Sequence, residues 1–178
     1  MRLASLLPAW LLLSLASCSS STFTAEVKGE TTVAGSPLVG GVLNAFPAIS
    51  SFASLDFDEN QDFKNQGVTK EQVDSVRLKS LTLKVLGPDD ADFGFLDSLE
   101  FFARAGDREV RIAHGEDISK RGLRAPNPVL TLGVEDVDLR PFITAPSMSI
   151  IVRGKGRMPE QEVRLQAVLV LDVQVGLF

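Results

Sequence analysis

The sequence predicts an all-β fold: an antiparallel two-sheet sandwich, immunoglobulin-like in the broad sense, with one or two short helices. Three observations predict it. Apolar and polar residues alternate with a period of two in several segments, turns containing glycine or proline separate those segments, and only two short stretches carry helical signals. A small closed β-barrel would satisfy the same pattern and is the alternative. We expect a single sandwich domain over residues 23–178.

The first elements are one strand and two short helices. Apolar residues of one parity alternate with polar ones over 23–28, which predicts a strand. Residues 38–46 place apolar side chains at helical spacing between two prolines, although two adjacent glycines weaken a helix there. A second short helix is predicted from Thr69 to about Ser75, because Thr69 and Gln72 form a capping-box pattern.

Residues 76–85, with the sequence VRLKSLTLKV, form a strand whose parity changes. The apolar residues before Ser80 share one parity, and those after it share the other. A β-bulge absorbs one extra residue and restores the inward face. A strand that passes from one sheet to the other at a sandwich corner would give the same pattern.

The remaining elements are also strands. Residues 98–105 and 109–113 alternate on either side of Gly106-Asp107-Arg108, which predicts a β-hairpin. Residues 130–134 and 148–152 predict two more strands by the same alternation.

The C-terminal segment gives the clearest pattern. It predicts one long strand with a wholly apolar inward face formed by Val163, Leu165, Ala167, Leu169, Leu171, Val173 and Val175. Val168 and Val170 lie on the opposite face, so we expect that face to be partly covered at its centre.

The first residues predict a secretory signal peptide over 1–17. Arg2 supplies one positive charge, an apolar run follows over 3–15, and small residues end it. The run is much shorter than the ~20 residues of a transmembrane helix, so we expect it to be removed.

Leu15-Ala16-Ser17-Cys18 resembles the lipobox of bacterial lipoproteins. The resemblance implies that the thiol of Cys18 receives a diacylglyceryl group and that Cys18 becomes the acylated N-terminus. Residues 18–22 would be a short tether, and the partner of the chain would be a membrane of the bacterial cell envelope. Ser19, where the family's sorting signal would have aspartate, favours the outer membrane.

Composition excludes several classes of function. Arg2 is the only charged residue of 1–17, so the mature chain carries 17 Lys and Arg against 23 Asp and Glu, a net charge of −6. Such an acidic chain is not expected to bind nucleic acid, and we expect no polybasic attraction to anionic lipid. Phe is its only aromatic residue, since the single Trp is Trp10 and there is no Tyr, which disfavours a carbohydrate-binding module.

His114 and three acidic groups are the candidates for chemistry. His114 has no second histidine or free cysteine to form a zinc site and no serine-nucleophile motif beside it. The acids of DFDENQD at 56–62 resemble a calcium ladder, but Gln61 and Gly67 stand where an EF-hand needs glycine and glutamate. We expect these acids, like those at 89–92 and 135–138, to line turns and solvent-facing strand positions. We therefore expect no enzyme, no cofactor and no metal site.

The phenylalanines are the last candidates. Phe95, Phe101 and Phe102 form a candidate ligand or partner surface, because adjacent strand residues point to opposite faces and one of the last two must point outward. Covering of that outward ring by the apolar segment 38–57 is the simpler interpretation.

Two functions remain. The first is a membrane-anchored envelope lipoprotein whose non-catalytic sandwich is structural or contacts another envelope protein. The second is binding of a lipid or other apolar ligand in a cavity of the β domain, open near residues 38–57.

The stretch LTLKVLGPDDADFGFLDSLEFFARAGDREVRIAHGED, residues 81–117, is loosely similar to the sandwich domains of water-stress and late-embryogenesis proteins. It shares their order of strand, proline turn, strand, short turn and strand, although Gly87-Pro88 stands in place of their usual Asn-Pro. The resemblance implies the same fold class and nothing about function.

Overall fold

The computed structural model describes residues 21–36, 41–43 and 45–176. The predicted signal peptide, Cys18, most of the predicted tether and Leu38 lie outside the described residues. Within them, no helix is both long enough and apolar enough to span a membrane.

The described chain forms two antiparallel sheets. Sheet A has the order β1-β9-β3-β6 and consists of β1 (Ser21–Val33), β9 (Val163–Val175), β3 (Val73–Gly87) and β6 (Val129–Thr131). Sheet B has the order β2-β8-β4-β5-β7 and consists of β2 (Val42–Leu43), β8 (Ser149–Arg157), β4 (Leu96–Ala105), β5 (Arg108–Gly115) and β7 (Gly133–Val134). The predicted two-sheet sandwich is confirmed, and the described strands form no closed barrel.

Strand β9 confirms the prediction from alternation. It lies inside sheet A between β1 and β3, and its seven inward residues are at most 4 % exposed. Val168 and Val170 are half-buried on the other face, as predicted. A central strand buries one whole face, which explains the regularity of its alternation.

The parity change in β3 is a β-bulge. The register of β3 against β9 shifts between Leu78 and Ser80, and both Leu78 and Leu81 point inward. The strand stays in sheet A, so the alternative of a sheet change is wrong for this segment.

The sheet change occurs instead in residues 129–134, where the prediction of one strand is wrong. Strand β6 pairs with β3 in sheet A, whereas β7 pairs with β5 in sheet B. Leu130 and Leu132 are buried, but Val134 is 41 % exposed. The chain crosses between the sheets at Leu132, and this crossing ends the common inward face.

The helix predictions need correction. Residues 42–43, inside the predicted helix 38–46, form strand β2. The predicted helix at 69–75 is a single 3₁₀ turn, Lys70–Gln72, in which the Gln72 side chain accepts a hydrogen bond from the Thr69 amide at 2.9 Å.

Two helices were not predicted: α1 (Gln61–Gln66) and α2 (Arg140–Ile143). The ends of α1 carried a readable signal. The Asn60 side chain accepts from the Asp62 amide at 2.9 Å, and Gly67 ends the helix with φ of 63°. An Asn N-cap and a left-handed glycine are the ordinary boundaries of a helix.

Residues 45–57, here the closing segment, fill one open side of the sandwich. Phe46, Ile49, Phe52 and Phe57 are 0–6 % exposed. The segment contacts β1 of sheet A and β8 of sheet B, and Leu55 forms mutual backbone hydrogen bonds with Met148, the residue directly before β8. Most apolar side chains of the described part of the predicted opening near 38–57 therefore fill the core, and an open hollow remains at its end, beside Leu55 and Phe57.

Candidate functional site

The three candidate phenylalanines occupy different environments. Phe101 is fully buried between the sheets, and Phe95 is 8 % exposed. Phe102 points outward from β4, is half-buried and lies opposite Ile151 on β8. Of the predicted surface, only Phe102 faces outward, in the centre of the outer face of sheet B. The closing segment packs on the core, so it is not what covers this ring.

An arginine covers Phe102. The Arg153 guanidinium lies 4.2 Å from the centroid of the Phe102 ring, and Arg153 Nη2 donates to Glu109 Oε1 at 2.8 Å. Arg153 is on β8 and Glu109 on β5, so the side chain reaches across β4. This contact combines a cation–π interaction with an ion pair.

A second charged group lies beside it on β5. Arg111 donates to Glu100 at 2.9 Å and to Glu135 at 2.8 Å. These hydrogen bonds, above all the one to Glu100, raise the pKa of the Arg111 guanidinium further above its usual value. Both bonds join neighbouring strands and loops of the sheet, so the group ties β4, β5 and the chain after β7 together.

His114 belongs to this charged group. Its Nδ1 lies 3.0 Å from Glu135 Oε1 and is shielded from solvent, although the approach is not aligned for a hydrogen bond. Strict alternation along β5 would put His114 on the same face as Ile112, but an extra residue at Ile112 shifts the register of β5 against β4. Ala113 therefore points inward and His114 outward, opposite Glu100. The arrangement gives His114 a contact with a carboxylate on a sheet face.

The cations of β8 were not recognised in the sequence. Arg153, Lys155 and Arg157 are exposed on the outer face, whereas Gly154 and Gly156 between them are buried. The sequence RGKGR showed this alternation, with glycine in place of the usual apolar inward residue. Lys155 and Arg157 make no ion pair with any of the described residues, whereas Arg153 pairs with Glu109.

The acids at 56–62 hold the local fold. Lys70 Nζ lies 3.4 Å from Asp56 and 3.0 Å from Asp58, and Asp62 accepts from the Glu26 amide of β1 at 2.7 Å. The hydrogen bond from Lys70 lowers the pKa of Asp58, and Asp58 in turn raises the pKa of Lys70. In the part of the chain that the structure describes, no group of three or more His, Cys, Asp or Glu is placed to hold a metal ion.

One open hollow lies beside the closing segment. It encloses about 390 Å³ and has an apolar floor of Val27, Leu55 and Phe57, with Asp56 and Glu59 at its rim. Its size falls at the lower end of the range for small-molecule sites. An apolar ligand with a cationic group would match this lining.

Comparisons with known proteins add no family. No protein-family model matches the sequence, and no curated protein matches it. The fold is similar to the 60-mer BFDV capsid protein, with 13 % identity over 92 % of this chain and 97 % of that one and a TM-score of 0.43. It is also similar to the decameric BFDV capsid protein, with 11 % identity, 89 % and 100 % coverage and a TM-score of 0.42. For desmodium yellow mottle tymovirus the identity is 11 %, the coverage 100 % and 94 %, and the TM-score 0.32.

Proposed function

We propose that this protein is a lipid-anchored protein of the bacterial cell envelope. Its non-catalytic β-sandwich would be structural or would bind another envelope protein. The observation that carries the proposal is the position of Leu15-Ala16-Ser17-Cys18 directly before the domain. Strand β1 begins at Ser21, three residues after Cys18.

The short tether supports an anchoring role. Three residues span at most about 10 Å, so acyl chains on Cys18 would keep the start of β1 beside the membrane surface. Each buried CH₂ contributes about 0.8 kcal/mol, and two or more chains give stable attachment.

Two measurements test the anchor. Intact-mass analysis of the purified protein should show loss of residues 1–17 and acylation at Cys18. Cys18→Ser should move the protein from the membrane to the soluble fraction, with Ser17→Ala as the matched control that stays in the membrane. A mature chain that starts elsewhere or carries no lipid would contradict the proposal.

The hollow beside Val27 favours a second candidate function, the binding of a small amphipathic ligand. Native mass spectrometry of protein purified from a native-like envelope would show a reproducible added mass. Leu55→Trp should fill the hollow and abolish that added mass, whereas Val134→Trp, on an exposed position of β7, should leave it unchanged. A clean apo mass for the wild type would refute this second candidate.

A further inference from the structure

We propose that the outer face of sheet B lies on the membrane and that Lys155 and Arg157 bind anionic lipid phosphates. They belong to the cation row Arg153, Lys155 and Arg157, in which only Arg153 has an ion-pair partner among the described residues. The inference rests on the proposed anchor at Cys18 and adds the orientation of the domain. Its first support is the geometry of the row. The three side chains occupy every second residue of one strand, so they are spaced about 6.6 Å apart on one face.

The charge of this face differs from that of the whole chain. The mature chain is acidic, yet Glu100, Glu109 and Glu135 near this face are each bonded to Arg111 or Arg153. Lys155 and Arg157 have no carboxylate partner within the described residues, so their charge is available to an external anion. Phosphate oxygens are strong acceptors for both side chains.

Strand β1, which follows the predicted tether, lies on the same open side of the sandwich as β8. The closing segment contacts both β1 and β8, so the two strands border the same open side. Packed sheets are about 10 Å apart, and the three residues from Cys18 to Ser21 can cover that distance. In a domain resting on sheet B, Cys18 would therefore reach the plane of that sheet at most, and its acyl chains would extend from there past the open side into the bilayer.

Ser21, where the predicted tether joins β1, and the cation row lie at opposite ends of the domain. Ser21 pairs with Val175 at one end of sheet A. Strand β8 begins near that end, where Met148 pairs with Leu55 beside α1, and runs away from it, so Arg157 lies at the far end beside the turn into β9. β1 alone is about 40 Å long. A lipid anchor at one end leaves the domain free to pivot, whereas phosphate contacts at the other end would hold it flat.

The middle of the face suits the same contact. Phe102 and Ile151 lie opposite each other between the tethered end and the cation row, and both are half-buried. Their exposed parts would meet the headgroup region, where aromatic and apolar side chains beside cations are favourable. Sheet A would then face away from the membrane and be the surface available to an envelope protein.

The test measures which face approaches lipid in the full acylated protein. The variant Ser98→Cys, opposite Lys155 on the outer face of β4, carries a bimane label on the new thiol, since the proposed diacylglyceryl group blocks the thiol of Cys18. The control is Thr32→Cys, exposed at the same end of the sandwich but on the outer face of sheet A. Each protein is reconstituted into phosphatidylcholine vesicles containing a doxyl-labelled lipid quencher, with or without phosphatidylglycerol.

We expect quenching of the label at residue 98 only in vesicles with phosphatidylglycerol, and none at residue 32. The double variant Lys155→Gln/Arg157→Gln should lose this quenching, as should high salt. Three results would overturn the proposal: no quenching at either site, quenching at residue 32, or quenching at residue 98 that does not depend on anionic lipid.

Two controls separate other causes of a negative result from a wrong orientation of the domain. These causes are the absence of acylation at Cys18 and the covering of sheet B by another protein. The mass of the N-terminal peptide shows whether Cys18 is acylated, so loss of the anchor is detected independently of the quenching. If residue 98 stays unquenched in vesicles but is shielded in native envelopes, a protein occupies this face and the lipid contact is refuted. Thermal unfolding of the double variant Lys155→Gln/Arg157→Gln shows whether its fold persists. If the double variant does not fold, Lys155→Gln alone replaces it and should reduce the quenching at residue 98 by half or more.

Discussion

Gly29→Ala is the sharpest test of how the closing segment seals the sandwich. Gly29 is buried in β1, and an added Cβ would overlap the side chains of Ile49 and Ser51 and lie 2.8 Å from Phe52 Cε1. Ile49 and Phe52 are buried in the closing segment, so these two side chains cannot swing into solvent, whereas the exposed Ser51 can rotate away. The absence of a side chain at residue 29 is therefore what allows the segment to seat between the sheets.

The expected cost follows from overpacking. One extra methyl in a well-packed core typically costs about 1–3 kcal/mol, and the overlap with three side chains places Gly29→Ala in the upper half of that range. For a domain of this size, each 1 kcal/mol lowers Tm by about 2–4 °C. We expect a Tm lower by roughly 5–10 °C, measured by circular dichroism together with urea unfolding.

Two further variants test whether the clash is the cause. Gly133→Ala is the matched control, because the nearest atom to its added Cβ is 3.5 Å away. We expect a change within about 1 kcal/mol, of either sign. Ile49→Ala should partly relieve the clash, so the double variant should cost less than the sum of the single changes by at least about 0.5 kcal/mol. A neutral Gly29→Ala, or strict additivity with Ile49→Ala, would refute this packing of the closing segment against β1.

Three other predictions concern polar contacts. Asp138→Ala should lower the free energy of unfolding by about 1–3 kcal/mol in urea titrations, because its carboxylate accepts hydrogen bonds from the amides of Val76 in β3 and Arg140 in α2, each at 3.0 Å. Asp138→Asn keeps an acceptor oxygen, so it should lower the free energy of unfolding less. Arg153→Lys keeps the charge but loses the planar stack on Phe102, so unfolding should become easier by up to about 1 kcal/mol, and equal stability would contradict the stack. Asp58→Asn should lower the free energy of unfolding by less than about 1 kcal/mol at neutral pH, since the pair with Lys70 is partly exposed. Because the pKa of Asp58 is lowered in the folded state, this stability is present above about pH 4 and is lost as the pH falls through the folded pKa. The free energies of unfolding of wild type and variant should therefore converge in acid.

Strands with one wholly buried face could be predicted from sequence. Alternation located β9 to the residue, and a glycine between two alternating runs located the β4–β5 hairpin. The sequence showed a change of inward parity at Ser80, but it did not show whether a β-bulge or a change of sheet causes it. A slip within one sheet and a passage between sheets shift the inward parity alike, so only the pairing partners of the strand separate them.

The errors arose where local pattern and tertiary partners conflict. Residues 42–43 carry helical spacing, yet their backbone pairs with the end of β8. Alternation along β5 does not predict the outward position of His114, because the bulge at Ile112 leaves no visible signal among the apolar and charged residues around it. Helix α1 was missed although Asn60 and Gly67 mark its ends, because the acids of 56–62, which overlap its first residues, were expected to line a turn and solvent-facing strand positions.

By itself, the sequence determined the fold class and the long strands, because these depend on local periodicity, and it predicted the signal before Cys18 from residues contiguous in the chain. Only the tertiary structure decided which phenylalanine faces outward, which acids neutralise which arginines and which cations remain unpaired among the described residues. Charge pairing depends on side chains from different strands meeting at about 3 Å. The order of strands within a sheet sets those meetings, and local sequence does not encode it. The cations of RGKGR are visible in the sequence, but which of them lack a carboxylate partner among the described residues was decided only by the placement of β4 and β5 beside β8.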